Sequence, residues 1–251
     1  MEKLFFCIFL VILIAVPHSG VEAATFYGEI TRGYQYVEKR GSGYGVYVPA
    51  SFDPNKRNTL VFAFGRSQKD LALSKDQLGE YAGLWADEAE RRGVVVVVPY
   101  WEPIIIEEGQ HTEEFYLDIL EEVMRIYNID PHKVLIAGFG LGSAAAFSLA
   151  ALYPDKFNGV VTIAFSPLRE LVTRDLMAVR LVGGIPPRKL PPILMVCGEN
   201  DGEVPLPWVQ EDKVALESKG NRVELKIIPQ MGHTHAPQIN GLILDWFESV
   251  N

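Results

Sequence analysis

Val134-Leu-Ile-Ala-Gly138-Phe-Gly140-Leu-Gly142-Ser-Ala-Ala-Ala-Phe-Ser-Leu-Ala-Ala-Leu152 is the stretch on which the rest of the chain is organised. Val134–Ala137 is a short apolar run of the kind that forms a strand buried on both faces. Three glycines follow at alternate positions, and then an alanine-rich segment of strong helix formers, Leu141 to Leu152. Strand, glycine turn and helix are the parts of a nucleophile elbow, G-x-S-x-G, in which a sharp turn lifts a serine above a sheet. Here the central residue is Gly140. The elbow has its frame and lacks its nucleophile. A side chain held in such a strained turn costs about 1–3 kcal/mol, and glycine enters the same backbone region without that cost.

The chain to either side alternates between strand and helix patterns. Tyr34–Glu38 and Tyr44–Pro49 read as two strands joined by Lys39-Arg-Gly-Ser-Gly43, and Thr59–Phe64 as a buried strand. Ser74 and Gln77 fit a capping box. A single helix is expected from there, with Leu78, Tyr81, Ala82, Trp85 and Ala89 on one face and Gly93 as its stop. Val94–Val98 is a pure valine strand, and the apolar spacing predicts a helix over 112–127 whose first turn carries Glu113 and Glu114, as the helix dipole favours. Strands at Val160–Phe165, Ile193–Cys197 and Val223–Ile228, with helices at Trp208–Lys219 and Pro237–Val250, complete the series. The alternation predicts an α/β class with a doubly wound, mainly parallel sheet flanked by helices and joined by right-handed crossovers. Ligands of such sheets bind beyond the carboxyl ends of the strands. The loops Gly138–Gly142, Gly198–Val204 and Gln230–His235 are therefore the places to look for chemistry.

Composition and charge bound the function. The 251 residues suit one large domain with ample apolar residues for a core. Met1-Glu-Lys3 precedes an unbroken apolar run from Leu4 to Val16, and Val21-Glu-Ala23 is a small-x-small cleavage site. This reads as a signal peptide of residues 1–23 on an exported protein, with a single domain over 24–251 and no stable membrane anchor after cleavage. The destination, periplasm or medium, is left open. The run is shorter than the ~20 apolar residues a membrane span needs. Cys7 would leave with the leader, so Cys197 would remain as a lone, buried and inert thiol. Without Lys3, Glu2 and Glu22 the formal charge goes from −9 to −8. That acidity argues against nucleic acid as a partner.

Three features stand in chain order: the elbow, then Gly198-Glu-Asn-Asp201-Gly-Glu-Val204-Pro205, then Gln230-Met-Gly232-His233-Thr-His235. Elbow, acid, histidine is the order of the α/β-hydrolases. The chain resembles a secreted esterase of that superfamily, of the feruloyl-esterase, polyhydroxyalkanoate-depolymerase and dienelactone-hydrolase-like branches. The similarity runs from Tyr44-Gly-Val-Tyr-Val-Pro49 to Asp245-Trp-Phe247 and is carried best by Ile129-Asp-Pro131, Asp201 with Val204-Pro205, and Gly232-His233.

The resemblance implies that Asp201 is the acid and His233 the general base, with Gly140 at the vacant nucleophile position. It implies one oxyanion-hole N–H from Leu141 and a second from the loop near Arg66. Phe64-Gly65 stands where the family usually carries a His-Gly pair. No cofactor and no metal is implied, and a small-molecule ester or related ligand is the expected partner. Ser143 reads as a capping or packing residue, Ser166 is no better placed to attack, and His235 reads as a surface or loop residue. A metal site of His233, His235 and Asp201 with Glu102 or His111 has only a His-x-His spacing behind it. Gly138-x-Gly140-x-Gly142 also resembles a dinucleotide fingerprint, but no acidic residue ends the following strand.

Three functions follow from this arrangement. The first is a degenerate hydrolase keeping a residual Asp-His site. The second is an ester hydrolase in which His233 activates water directly. The third is a ligand-binding protein using Tyr100 and Trp101. The segments 99–110 and 166–190, which would shape a pocket, carry no diagnostic pattern.

Overall fold

A computed structural model describes residues 30–65, 74–100, 113–168 and 189–251. The expected leader, Arg66, Trp101, Glu102, His111 and most of the 166–190 segment lie outside the described residues. Residues 31–251 form one compact unit built on an eight-stranded sheet. Its strands are β1 (Gly33–Lys39), β2 (Ser42–Val48), β3 (Asn58–Phe64), β4 (Val94–Pro99), β5 (Ile129–Phe139), β6 (Gly159–Ile163), β7 (Ile193–Gly198) and β8 (Val223–Ile228). The spatial order is β1-β2-β4-β3-β5-β6-β7-β8. β2 runs antiparallel to both β1 and β4, and every pair from β4 to β8 is parallel. The doubly wound, mainly parallel sheet expected from the sequence is therefore present.

The helices are α1 (Lys75–Gly83), α2 (Ala86–Arg92), α3 (Glu113–Ile126), α4 (Leu141–Leu152), α5 (Leu206–Ser218) and α6 (Gln238–Val250). The Ser74–Gln77 capping box forms as predicted. The single helix expected beyond it is two helices. At the break, the Trp85 N–H reaches back only to Ala82 O, and the Leu84 carbonyl accepts from the Asn240 side chain at 2.7 Å. A tertiary partner thus takes a carbonyl that helix continuation would have used, which periodicity along the chain does not reveal. The β1–β2 connection is also tighter than expected. Arg40 and Gly41 alone make the turn, at φ 50° and 77°, the signature of a two-residue hairpin whose twist matches its strands.

β3 and β5 sit at the point where the chain reverses its direction of travel across the sheet: β4 lies on one side of β3, and β5 with β6 to β8 on the other. This is the switch point at which open α/β sheets hold their ligands. α4 leaves from there and packs against β5, β6 and β3 with a surface of Gly, Ala and Ser buried nearly throughout. The approach is too close for side chains. A Cβ on Gly142 would stand 2.4 Å from the Phe64 carbonyl oxygen, and one on Gly138 would stand 2.2 Å from that of Gly142. These two glycines let the helix begin directly over the ends of β3 and β5.

Candidate active site

Gly140 joins β5 to α4 at φ 54° and ψ −125°. Side-chain-bearing residues rarely occupy this region, and its cost to them is the backbone strain expected of an elbow. Leu141 is the first residue of α4, so its N–H is one of the helix-start donors that have no carbonyl within the helix to bond.

The second loop follows β7. Asp201 is buried, and its carboxylate is held by two backbone donors: the N–H groups of Glu203 and Val204 each give a 2.9 Å bond to Oδ1. The third loop follows β8 and is clamped to the second. The Asn200 N–H donates to Met231 O at 2.9 Å and the Gln230 N–H to the Glu199 carboxylate at 3.1 Å. A Cβ on Gly198 would meet Met231 O at 2.2 Å, so the clamp also depends on a glycine.

Clamping brings His233 onto Asp201. Its Nδ1 lies 3.1 Å from Oδ2 and 3.2 Å from Oδ1. A carboxylate can only accept, so Nδ1 carries the proton, and in the neutral imidazole Nε2 is then the acceptor. Nε2 lies on the side away from Asp201, 3.6 Å from the Glu203 carboxylate. The imidazole centroid is 5.4 Å from the ring of Phe139, the residue preceding Gly140. The end of β5 and the acid-histidine pair therefore share one end of the sheet.

No family model matches the chain, and no curated protein matches it. Solved structures do. The chain is similar to esterase PE8, with a TM-score of 0.57 at 15% identity over 82% of this chain and 97% of that one. It is similar to Thermogutta terrifontis esterase 2, solved phosphoramylated by tabun, with 0.58 at 18% over 89% and 97%. It is also similar to Est1E from Butyrivibrio proteoclasticus, with 0.58 at 14% over 86% and 96%. The chain has the α/β-hydrolase fold. At such identities the likeness is one of architecture.

On the α/β-hydrolase scaffold the other candidate residues separate by what they touch. Ser143 is fully buried. Its hydroxyl donates to Gly138 O at 2.6 Å and accepts from the Ile163 N–H at 3.1 Å, which ties α4 to β5 and β6. Ser166 is likewise buried and donates to Asp212 on α5 at 2.6 Å. Cys197 is buried at the end of β7, and burial pushes its thiol up to about 11, so it is protonated and inert at neutral pH.

His235 corrects its expectation. It lies in the loop between β8 and α6 but is buried there, not at the surface: Nδ1 accepts from the Tyr81 hydroxyl at 3.0 Å, and Nε2–H donates to Asn240 Oδ1 at 2.7 Å. Asn240 in turn donates to Leu84 O. Burial pushes the His235 imidazole down to about 4, with the Asn240 bond opposing it, so it is neutral at pH 7. The chain Tyr81–His235–Asn240–Leu84 fixes the His233 loop against α1, the α1–α2 junction and α6. Its members come from segments far apart in the chain, and no local signal in the sequence joins them. Both ring nitrogens of His235 are spent in that network. Among the described residues no group of three or more His, Cys, Asp or Glu side chains is placed to hold a metal ion, and no helix is long and apolar enough to cross a membrane.

Proposed function

We propose that this is an exported, degenerate carboxylic-ester hydrolase: a scaffold that keeps the acid Asp201 and the base His233 but has no attacking atom at Gly140. One observation carries the proposal. Gly140 occupies the strained elbow conformation at the end of β5, while the Asp201–His233 pair stands at the same end with the Nε2 lone pair presented away from the acid. Were a hydroxyl present at 140, His233 would take its proton as the oxygen attacked an ester carbonyl. Asp201 would hold the imidazole in the required tautomer, and the Leu141 N–H would stabilise the developing oxyanion. With hydrogen in that position no acyl-enzyme forms. What remains is a site for a small ester or the carboxylate derived from it, with a residual catalysis of about 10³–10⁴ over water at most.

The test is hydrolysis of a short-chain aryl ester, together with labelling by a fluorophosphonate, for the chain, Gly140→Ser and His233→Ala. Thermogutta terrifontis esterase 2 is phosphoramylated by tabun, and a covalent adduct of that kind requires a nucleophile. The proposal therefore expects the unaltered chain to be unlabelled and no more active than that residual rate, and Gly140→Ser to be labelled and far more active. Ester hydrolysis by the unaltered chain that disappears in His233→Ala would instead establish attack by His233-activated water. Fluorophosphonate labelling of the unaltered chain would overturn the proposal outright.

A further inference from the structure

β8 ends the sheet, and among the described residues no strand pairs with its outer side. Its backbone polarity can be read from its inner side. The Ile193 N–H donates to Arg222 O and the Glu199 N–H to Ile228 O, with Ile193 opposite Val223 in the parallel register. Even-numbered residues of β8 therefore turn their N–H and C=O groups toward β7, and Val223, Leu225 and Ile227 turn theirs outward. Such a row of donors and acceptors is a template for another strand. Proteins commonly blunt it with proline, a bulge or charge, especially lysine; β8 has no proline and no bulge, and its one lysine, Lys226, is paired with Glu224.

What the edge carries is self-complementary. An antiparallel mate must set outward-facing residues against outward-facing residues, so only registers centred on a residue are open. With the two-fold axis at Leu225, Leu225 faces its own copy and Val223 faces Ile227, all as hydrogen-bonded pairs. Glu224 then faces Lys226 twice, in the close, non-hydrogen-bonded positions where side chains interact most strongly. Moving the axis to position 224 sets Glu224 against Glu224 and Lys226 against Arg222. Moving it to 226 sets Lys226 against Lys226. Like charges directly opposite are destabilising, so one register is favoured and its neighbours are penalised. The side chains are available for this. Glu224 and Lys226 are 44% and 42% exposed and 2.7 Å apart on one face of the strand, and Ile227 is among the few exposed large apolar residues described. In the favoured register Val223, Leu225 and Ile227 of both copies form one apolar stripe on the opposite face.

We infer that two copies of this chain associate edge to edge through β8, antiparallel about a two-fold axis at Leu225, extending the sheet across both. Sedimentation equilibrium of the full chain across the micromolar range tests this and should give a concentration-dependent dimer. Lys226→Glu turns two cross-strand attractions into two repulsions and should raise the dissociation constant on the order of tenfold or more. Glu224→Lys should do the same, and the charge-reversed pair Glu224→Lys/Lys226→Glu should restore association. Leu225→Pro removes an outward N–H that the monomer does not use, a substitution edge strands tolerate, and should weaken the dimer while the far-ultraviolet circular dichroism stays unchanged. A chain that remains monomeric throughout would overturn the inference. So would a dimer indifferent to Lys226→Glu, or a charge-reversed pair that stays monomeric.

Discussion

Placing a side chain at position 140 should destabilise the protein through backbone strain. At φ 54° and ψ −125° a residue with a Cβ pays about 1–3 kcal/mol of backbone strain. Replacing glycine also narrows the unfolded ensemble, which returns about 0.4–1 kcal/mol. Gly140→Ala should therefore lose about 1–2 kcal/mol net, and for a domain of this size each kcal/mol lowers the melting temperature by about 2–4 °C. Gly140→Ser pays the same strain. If its hydroxyl reaches the His233 lone pair, it regains up to about 1 kcal/mol through one hydrogen bond. The two flanking glycines supply the control. Alanine at 142 would stand 2.4 and 2.5 Å from the carbonyl oxygens of Phe64 and Gly65, and alanine at 138 would stand 2.2 Å from that of Gly142. These are backbone atoms that cannot swing aside, so both variants should lose far more stability than Gly140→Ala or fail to fold. Urea titration followed by tryptophan fluorescence measures all four, with coincident circular dichroism as the check on two-state behaviour. A Gly140→Ala variant as stable as the parent would refute the strained elbow. Equal losses at 138, 140 and 142 would show that crowding, not backbone geometry, selects glycine there.

Two further outcomes follow from buried groups. Ser143→Ala removes the acceptor of the Ile163 N–H and should cost about 1–3 kcal/mol in the same titration; placed in the Gly140→Ser background, it should leave fluorophosphonate labelling intact, and loss of labelling in a folded protein would make Ser143 a reacting residue. His235 is held to about 4 by burial, against an ordinary 6.5. The unfolded chain therefore binds a proton between those values that the folded chain refuses, and this contribution to stability is complete above pH 6.5 and is lost as pH falls toward 4. The loss approaches about 3 kcal/mol; urea midpoints at pH 7.5 and 4.5 should converge in His235→Gln relative to the parent, and an unchanged difference would show that His235 is not the group responsible.

What was legible in the sequence divides along the distance over which each feature is encoded. The buried strands, the capping box at Ser74 and the elbow glycines are each written within about a dozen residues, where hydrophobic period and turn chemistry are decisive. Asp201 and His233 are 32 residues apart, yet they were legible because each follows a strand whose end the topology carries to one place. The break between α1 and α2 and the burial of His235 were not legible. Both depend on Asn240, which reaches from α6 to Leu84 and to His235 at once, and a side chain that satisfies two distant partners leaves no periodic mark at either. The same network bears on what holds Asp201 and His233 together. His233 sits in a loop clamped to the Asp201 loop by backbone bonds and glycine contacts, and anchored two residues later through His235. Asp201 is buried with its carboxylate satisfied by two backbone N–H groups and by His233. Removing His233 would take a hydrogen-bond donor from a buried carboxylate, a cost of about 1–3 kcal/mol. Asp201 and His233 thus carry structural weight of their own, whereas a serine at 140 would bring strain that one hydrogen bond to His233 offsets only in part.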